Sequence, residues 1–567
     1  MPNEDVQARA AVERATIETK AITGKADKRP AMGPIRYNLE AFGVAILGAV
    51  LLKWFCIEAF AIPTSSMQPT LMGSFEAGVY DRLLVDKLTP AIRDPQRWDV
   101  TVFSYPLQKN QNYVKRLVGM PGEKLDIAGG NLYRVEESED GRVYETLRKP
   151  DRIQQDLWKE VYPARLLMRS GDTKSLGEFF STRPQRAWKE GAEPGSFTAE
   201  LKPGRSYRLS FRDRVDGGMV NRVFDGYPTD TAKAIRSGSG QGSLEIVPDV
   251  RIEATVTPTQ KVDELTMAIE VHRPDFPTLT YALAVAGGTA KFQVLDADGK
   301  PQSEHSGFAC EFPAGVATQL GFAHLDDELI AYRDGDEVMR FDVSDYHCRQ
   351  GCELPLGADG DSPEQRVVPM LLLEGDGEVA IDGLTISRDL HYTRVCSPGM
   401  GTGKLAPDAL IAIPEGHYFM MGDNTLQSVD SRGWTALTLG VTPDGTVIPP
   451  EEIPNHEGAR KLRGNARIID PSKPPDRDET PVVISTKSRL AMIDENGDTH
   501  ALKAKALVTT SDSGRNQLSI QSPGTDNPTS DWTPPEEWVA FVPREHIRGR
   551  ALVTFWRTPF PRLLPIR

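Results

Sequence analysis

The chain has 567 residues, a formal net charge of −14, 39% hydrophobic and 26% charged residues. That length exceeds what one core supports, so several domains are expected. The acidic balance excludes a general nucleic-acid binder, which needs clustered Lys and Arg, and no heptad array or short internal repeat is present.

Residues 1–37 carry Arg9, Arg14, Lys20, Lys25, Lys28, Arg29 and Arg36 among acidic residues and read as a polar tail. The stretch AFGVAILGAVLLKWFCIEAFAI, Ala41 to Ile62, follows. A bilayer crossing takes about 20 apolar residues. The clean run from Ala41 to Leu52 is shorter, and Lys53 and Glu58 interrupt its continuation. Lys53 can snorkel, and Trp54 and Phe55 suit an aromatic belt. A buried or amphipathic soluble helix shares this composition. The reading is a single membrane anchor over 38–62, in the plasma or inner membrane. The basic tail favours a cytoplasmic N-terminus, which puts everything after Ile62 outside the cytoplasm. A cleavable signal peptide would start earlier.

FAIPTSSMQPTLMG, Phe60 to Gly73, puts Thr64, Ser65 and Ser66 together between two prolines. This is a turn by composition, and a candidate nucleophile loop. A serine needs a base, and none of the nine histidines stands in a recognisable triad context. NYVKRLVGMPGEKLDI, Asn112 to Ile127, is strand-like. Lys115 sits among Tyr113, Val114, Leu117 and Val118, with Arg116 expected on the opposite face. A lysine base must be neutral near pH 7, so its reference pKa of about 10.4 must fall by about 3, roughly 4 kcal/mol. Burial against apolar side chains can do this. Alone, the block reads as an ordinary surface strand with a paired lysine.

A connecting region, 131–197, follows, in which Arg152 to Pro194 mix Trp158, Phe179, Phe180 and Trp188 with many charges and are expected to form helix and loop leading into the next domain. From 198 to 390 the pattern is β-rich. VRIEATVTPT alternates apolar and polar residues, and LIAYRDGDEVMRFDV reads as a hairpin around Asp334 and Gly335. KFQVLDADGKP and VAIDGLTISRD add strand–turn signals. Many short strands with such turns predict a β-sandwich. Asp296, Asp298 and Gly299 form a tight turn rather than a calcium loop, whose full pattern is absent. Of the five cysteines, Cys56 lies in the apolar segment. Cys310, Cys348, Cys352 and Cys396 allow three pairings, and a local Cys348–Cys352 disulfide is plausible outside the cytoplasm. A metal reading at His347, Cys348 and Cys352 lacks a second matching pair. No metal and no cofactor are expected.

GHYFMMGDNTLQSVDSRGW, Gly416 to Trp434, runs a hydrophobic strand into the turn formers Gly422, Asp423 and Asn424. Ser428, Asp430, Ser431 and Arg432 follow. Such a loop can orient a buried lysine or be simply a hydrogen-bonded turn. A second insertion, 437–537, contains the exposed linker PSKPPDRDETP, Pro471 to Pro481, and a few strands turning at Asn496-Gly497.

Together these blocks resemble the type I signal peptidase (leader peptidase) family. The resemblance rests on IPTSSMQPTL, DRLLVDKL, RWDVTVFSYP, YVKRLVGMPGEKL, YFMMGDNTLQSVDSRGW and the closing FVPREHIRGRALVTFW. It covers less than half of the chain. It implies a Ser/Lys dyad, with Ser66 as nucleophile and Lys115 as general base. It gives Thr64 the oxyanion role beside the Ser66 backbone N–H, and Ser428 the role of orienting the lysine. Asp430 with Arg432 would be a supporting ion pair, while Asp423 and Asn424 hold the loop. Phe60, Ile62, Met67, Leu71 and Val114 match substrate-pocket positions. The implied partners are the bilayer and secretory or membrane preproteins whose signal peptides end in small residues.

The expected fold is mainly β: an N-terminal transmembrane helix, a discontinuous catalytic domain and an inserted sandwich. The catalytic parts would be 63–130, 391–436 and 538–567. The sandwich resembles a concanavalin- or laminin-G-like jelly roll, and its ligand, whether sugar, peptidoglycan or protein, is open. The rival from another class is a membrane-anchored surface binding protein with a vestigial protease domain. A soluble self-cleaving repressor would need a DNA-binding module, which is not seen.

Overall fold

The computed structural model describes residues 34–74, 79–139, 141–163, 179–215, 218–224, 246–260, 262–272, 277–344, 366–394, 410–425, 428–469, 489–510, 516–521, 531–532, 536–556 and 564–566. The readings at His347, Cys348, Cys352, Cys396 and the 471–481 linker lie outside the described residues. Cys310 is buried and free.

The chain divides into two units, Met1–Glu58 and Ala59–Arg567. In the first, the α-helix Pro34–Leu51 passes into a π-helical turn, Leu52–Cys56. Asn38–Cys56 is long and apolar enough to cross a bilayer, and none of it is buried. The helical part stops at Cys56, short of the expected boundary at Ile62, because Ile57 is extended. From there the sequence IEAFAI alternates in exposure, which is a strand pattern.

In the second unit, a nine-stranded sheet runs from the strand ending at Ile62 through Val79–Asp86, Ile547–Trp556, Val100–Tyr105, Gln108–Gly119 and His417–Met421 to Phe541–Pro543. Its strands come from three separate stretches of sequence, so this sheet is discontinuous in the chain. A smaller four-stranded sheet combines Ile411–Ala412 with Lys124–Ala128, Asn131–Ser138 and Gly141–Thr146.

Between these parts stands a sandwich of a seven-stranded and an eight-stranded antiparallel sheet over one shared core. The alternation read in VRIEATVTPT is realised in Val250–Pro258, where Val250, Ile252, Ala254 and Val256 point into that core. Asp334 and Gly335, at φ 53° and 88°, turn the hairpin between Glu328–Arg333 and Asp336–Asp342. The segment VAIDGLTISRD makes no turn. It lies in one long strand, Gly377–Arg388, with a bulge near Gly383 that shifts the register from Asp382 opposite Thr255 to Thr385 opposite Glu253.

The sandwich also begins earlier than 198. Lys159–Tyr162, Phe180–Arg183 and Trp188–Glu190 are already its strands. Phe179, Phe180 and Trp188, read above as residues of a connecting region, are core residues. The neighbouring charges had masked a short-strand alternation. Asp296 caps the tight turn as expected, its Oδ1 accepting the N–H groups of Asp298 and Lys300 at 2.9 Å each. The second insertion forms a six-stranded sheet, and its Asn496-Gly497 turn is held by Asp494 Oδ1.

Buried charge joins the sandwich to the segment that follows the four-stranded sheet. Lys149 Nζ donates to both Asp326 oxygens at 2.8 and 2.9 Å and lies 2.7 Å from Asp389 Oδ2. Oxygens of Asp249, Asp326 and Asp389 all fall within 4.8 Å of one another, and His324 Nδ1 is 3.1 Å from Asp249. Three carboxylates so close, only two of them bonded to the ammonium, repel each other. Burial, reinforced by Asp389 and Asp249, pushes the Asp326 carboxyl up to about 7 against the pull of Lys149.

Between 3.8 and about 7 the folded chain therefore holds a proton that the unfolded chain has released. Stability falls as pH rises through that window. Denaturation curves from pH 5 to 8 are expected to show wild type losing about 2–3 kcal/mol more than Asp326→Asn. Parallel losses would show that Asp326 is not the group responsible.

Candidate active site

The serine block folds as a tight turn. Thr64 is extended (φ −113°, ψ 160°), and Ser65–Met67 is a single 3-10 turn. Gln68 N donates to Ser65 O at 3.0 Å, and Leu71 N donates to Met67 O at 2.9 Å. Gln68 Nε2 ties the turn to Gly73 O at 2.9 Å. Gly73 has to be glycine, since a Cβ there would stand 2.5 Å from the carbonyl oxygens of both Ile62 and Thr64. The result is a Ser66 side chain only 6% exposed, with its Oγ 3.3 Å from Thr64 Oγ1.

The strand Gln108–Gly119 packs against this turn. Its register sets Lys115 opposite Thr101 and Arg116 opposite Val100, on alternate faces. Both charges are buried, at 1% and 0% exposure. Arg116 donates from Nε and Nη2 to Asp423 at 2.8 and 2.7 Å, and from Nη1 to Trp98 O at 2.8 Å. Burial opposes the guanidinium charge, but Asp423 more than offsets it and holds the group above its ordinary value. The sequence reading gave Arg116 no role. The one signal was a charged pair inside an apolar strand, where each charge needs its own partner.

The loop after His417–Met421 closes over the serine turn. Asn424 N donates to Ser66 O at 3.2 Å, and Asn424 Nδ2 donates to Ser65 O at 3.1 Å. Gly422 N donates to Asp430 Oδ2 at 3.0 Å. Arg432 grips Asp430 from Nε and Nη2 at 2.8 and 2.7 Å and reaches Thr393 O at 2.8 Å and Thr425 O at 2.6 Å.

Burial alone would raise the Asp430 carboxyl. The Arg432 charge and hydrogen bonds, with a contribution from the Lys115 charge, keep it below the usual carboxylate value. Lys115 is thus within electrostatic reach of Asp430.

Ser66 and Ser428 meet over Gly422. A Cβ on that glycine would lie 2.2 Å from Ser428 Oγ and 2.3 Å from Ser66 O. Ser428 is fully buried, and its hydroxyl makes no hydrogen bond among the described residues. The expected Ser428–lysine hydrogen bond is therefore not formed, because the hydroxyl is turned against Gly422.

Phe60, Ile62, Met67, Leu71 and Val114 join a single apolar cluster with Leu83, Val85, Val100 and Val102. Ile62, Met67 and Leu71 are buried, while Phe60 and Val114 are only partly covered. The latter two offer a surface, and the other three back it.

A buried serine on a glycine-backed turn, a buried lysine on the adjoining strand and a charge-locked loop over the serine turn come together in this β-sheet domain. Residues 35–174 and 375–453 match the family model described as signal peptidase, peptidase S26. These two segments flank most of the sandwich and are the part of the chain that is similar to that family.

Among curated relatives, signal peptidase I of Pseudomonas aeruginosa is 39% identical over 112 residues, 18% of this chain and 38% of the relative. The probable signal peptidase I-2 of Synechocystis is 35% identical over 94 residues, 16% and 40% of the two chains. Signal peptidase I of Leptolyngbya laminosa is 32% identical over 125 residues, 21% and 58%. In each case the matched part spans less than two thirds of the relative.

Solved structures with a likeness include the Caenorhabditis elegans galectin LEC-6, with a TM-score of 0.16, 16% identity, 26% of this chain and 84% of that one. The carbohydrate-binding module CBM66 from Bacillus subtilis gives a TM-score of 0.21, 9% identity, 36% and 94%. The sandwich is defined by its own strand pairing, not by these slight overlaps.

Proposed function

We propose that this chain is a membrane-anchored serine endopeptidase that removes signal peptides from exported preproteins. The carrying observation is the convergence of the Ser66 turn, the Lys115 strand and the Gly422–Arg432 loop in one buried place. All three lie within the family-matched segments.

The neutral Lys115 amine takes the proton from Ser66 Oγ as the oxygen attacks the scissile carbonyl. The Ser66 N–H and the Thr64 hydroxyl, already 3.3 Å from Ser66 Oγ, receive the oxyanion, each donor supplying about 3 kcal/mol. The ammonium returns its proton to the leaving amine as the peptide bond breaks. Water, deprotonated in turn by the same amine, then releases the acyl group.

Phe60 and Val114 form a shallow apolar face that accepts small side chains and excludes large ones. The substrate is an extended chain lying along the enzyme's strands, with a signal peptide ending in small residues. The Asn38–Cys56 helix is the anchor, with the N-terminus cytoplasmic and the serine site outside, near the bilayer surface where cleavage sites emerge.

The test is cleavage, in detergent, of a preprotein with an A-x-A site, read by the mass of the mature product. Turnover is expected to rise with pH at values below the ordinary lysine pKa of about 10.4. Failure to cut at the small-residue site at any pH would remove the reading and leave the surface-binding alternative.

A further inference from the structure

The sandwich is wired into the active-site loop through Trp98. This residue has φ 75°, a left-handed backbone that a bulky side chain adopts only when its surroundings hold it there. Its N–H donates to Leu117 O at 2.7 Å, and its Nε1 donates to Arg148 O at 3.3 Å. Lys149 Nζ stands 5.4 Å from its ring centroid, and the Tyr392 ring lies 6.3 Å away. The same Lys149 is anchored to the sandwich by Asp326 and Asp389. Gln154 Nε2 fixes the other Asp389 oxygen at 2.8 Å.

On its other side, the Trp98 carbonyl seats Arg116, which locks Asp423. The next residue, Asn424, holds the carbonyls of Ser65 and Ser66. Tyr133 and Thr146 donate to Asp327 at 3.0 and 2.9 Å, so the sandwich does not pivot freely about this point.

We propose that Lys149 is a positioning residue for the peptidase reaction. Held by the sandwich, it keeps Trp98 in the backbone conformation that seats Arg116 against the loop over Ser66. The insertion is thereby part of the active-site scaffold, and not a separate module on a tether. This rests on the peptidase reading above, so its test has one arm that needs no activity.

The variants are Lys149→Met, Lys149→Arg, Asp249→Asn and the double variant Lys149→Met/Asp326→Asn. The double variant removes one carboxylate along with the cation, in case the single change leaves too much unpaired buried charge to fold. In the full-length protein in detergent, well below each variant's Tm, preprotein cleavage should lose at least tenfold in kcat when Lys149 becomes Met, alone or in the double variant. KM should stay within twofold. Lys149→Arg keeps a cation that can bridge two carboxylates and should recover most of kcat. Asp249→Asn removes a carboxylate that does not bond Lys149 and should leave kcat unchanged.

Independently, amide exchange over His417–Thr425 should speed up in the Lys149→Met proteins, but not in Asp249→Asn, while strands of the sandwich core stay protected. Unchanged kcat and unchanged exchange in the Lys149→Met proteins would overturn the proposal. So would equal losses in all variants that simply track Tm. Inactivity of the wild type together with the predicted exchange pattern would count against the peptidase reading alone.

Discussion

Ser66→Ala and Lys115→Met are each expected to lose at least 10³-fold in preprotein cleavage, a loss of about 4 kcal/mol or more in transition-state stabilisation. Without the hydroxyl no acyl-enzyme forms. On the proposed reading the amine is the acceptor of the serine proton, and its removal leaves that transfer to solvent. Folding should survive both changes. Ser66→Ala deletes one small group whose hydroxyl contact is Thr64 Oγ1 at 3.3 Å. Lys115→Met keeps most of the stem that fills a position 1% exposed. The two losses should not add, because nucleophile and base act as a unit, and the double variant should be no slower than the worse single one. Thermal melts within a few degrees of wild type, beside abolished turnover, are the expected pair of observations. Near-full activity in either single variant would remove the dyad assignment.

The sequence revealed the site's parts better than their connections. The serine turn, the lysine strand and the glycine-led loop were each legible, since turn formers and apolar alternation act over a few residues. The Arg116–Asp423 pair was not, because its partners are 307 positions apart and nothing local links them. Nor was the strap from Asp389 to Arg394, whose carbonyl at Thr393 receives Arg432. The Ser428 hydroxyl shows the limit of carrying a role over from a motif, since its residue is in place but its hydrogen bond is not.

In the fold, long alternating strands such as Val250–Pro258 were plain. The short strands Phe180–Arg183 and Trp188–Glu190 were hidden because three or four residues carry too little periodicity to stand out among charges. The end of the apolar segment was misplaced for a related reason. Composition stays apolar through Ile62, whereas the change from helix to strand at Ile57 is a change of period.

Arg432→Met and Asp430→Asn should move the pH profile of cleavage in opposite directions. The pair is wholly buried, and Lys115 is within its electrostatic reach. An unmatched Asp430 carboxylate would favour the ammonium form of the lysine, whereas the base role requires the neutral amine. Arg432 cancels most of that field. Replacing it by Met should therefore shift the rise in activity to higher pH, and the broken pair should cost about 3–5 kcal/mol of stability. Asp430→Asn leaves the guanidinium uncompensated and should shift the rise to lower pH.

The carboxyl sits below its ordinary value of 3.8 in the folded chain. Its contribution to stability is complete above that value and is lost only as pH falls through the folded pKa, so assays at neutral and alkaline pH leave the wild-type pair intact. The double variant removes both charges and should return the profile towards wild type even if it recovers little stability. Shifts of the same sign in both single variants, or none in either, would mean that the pair only braces the loop and does not set the protonation of the base.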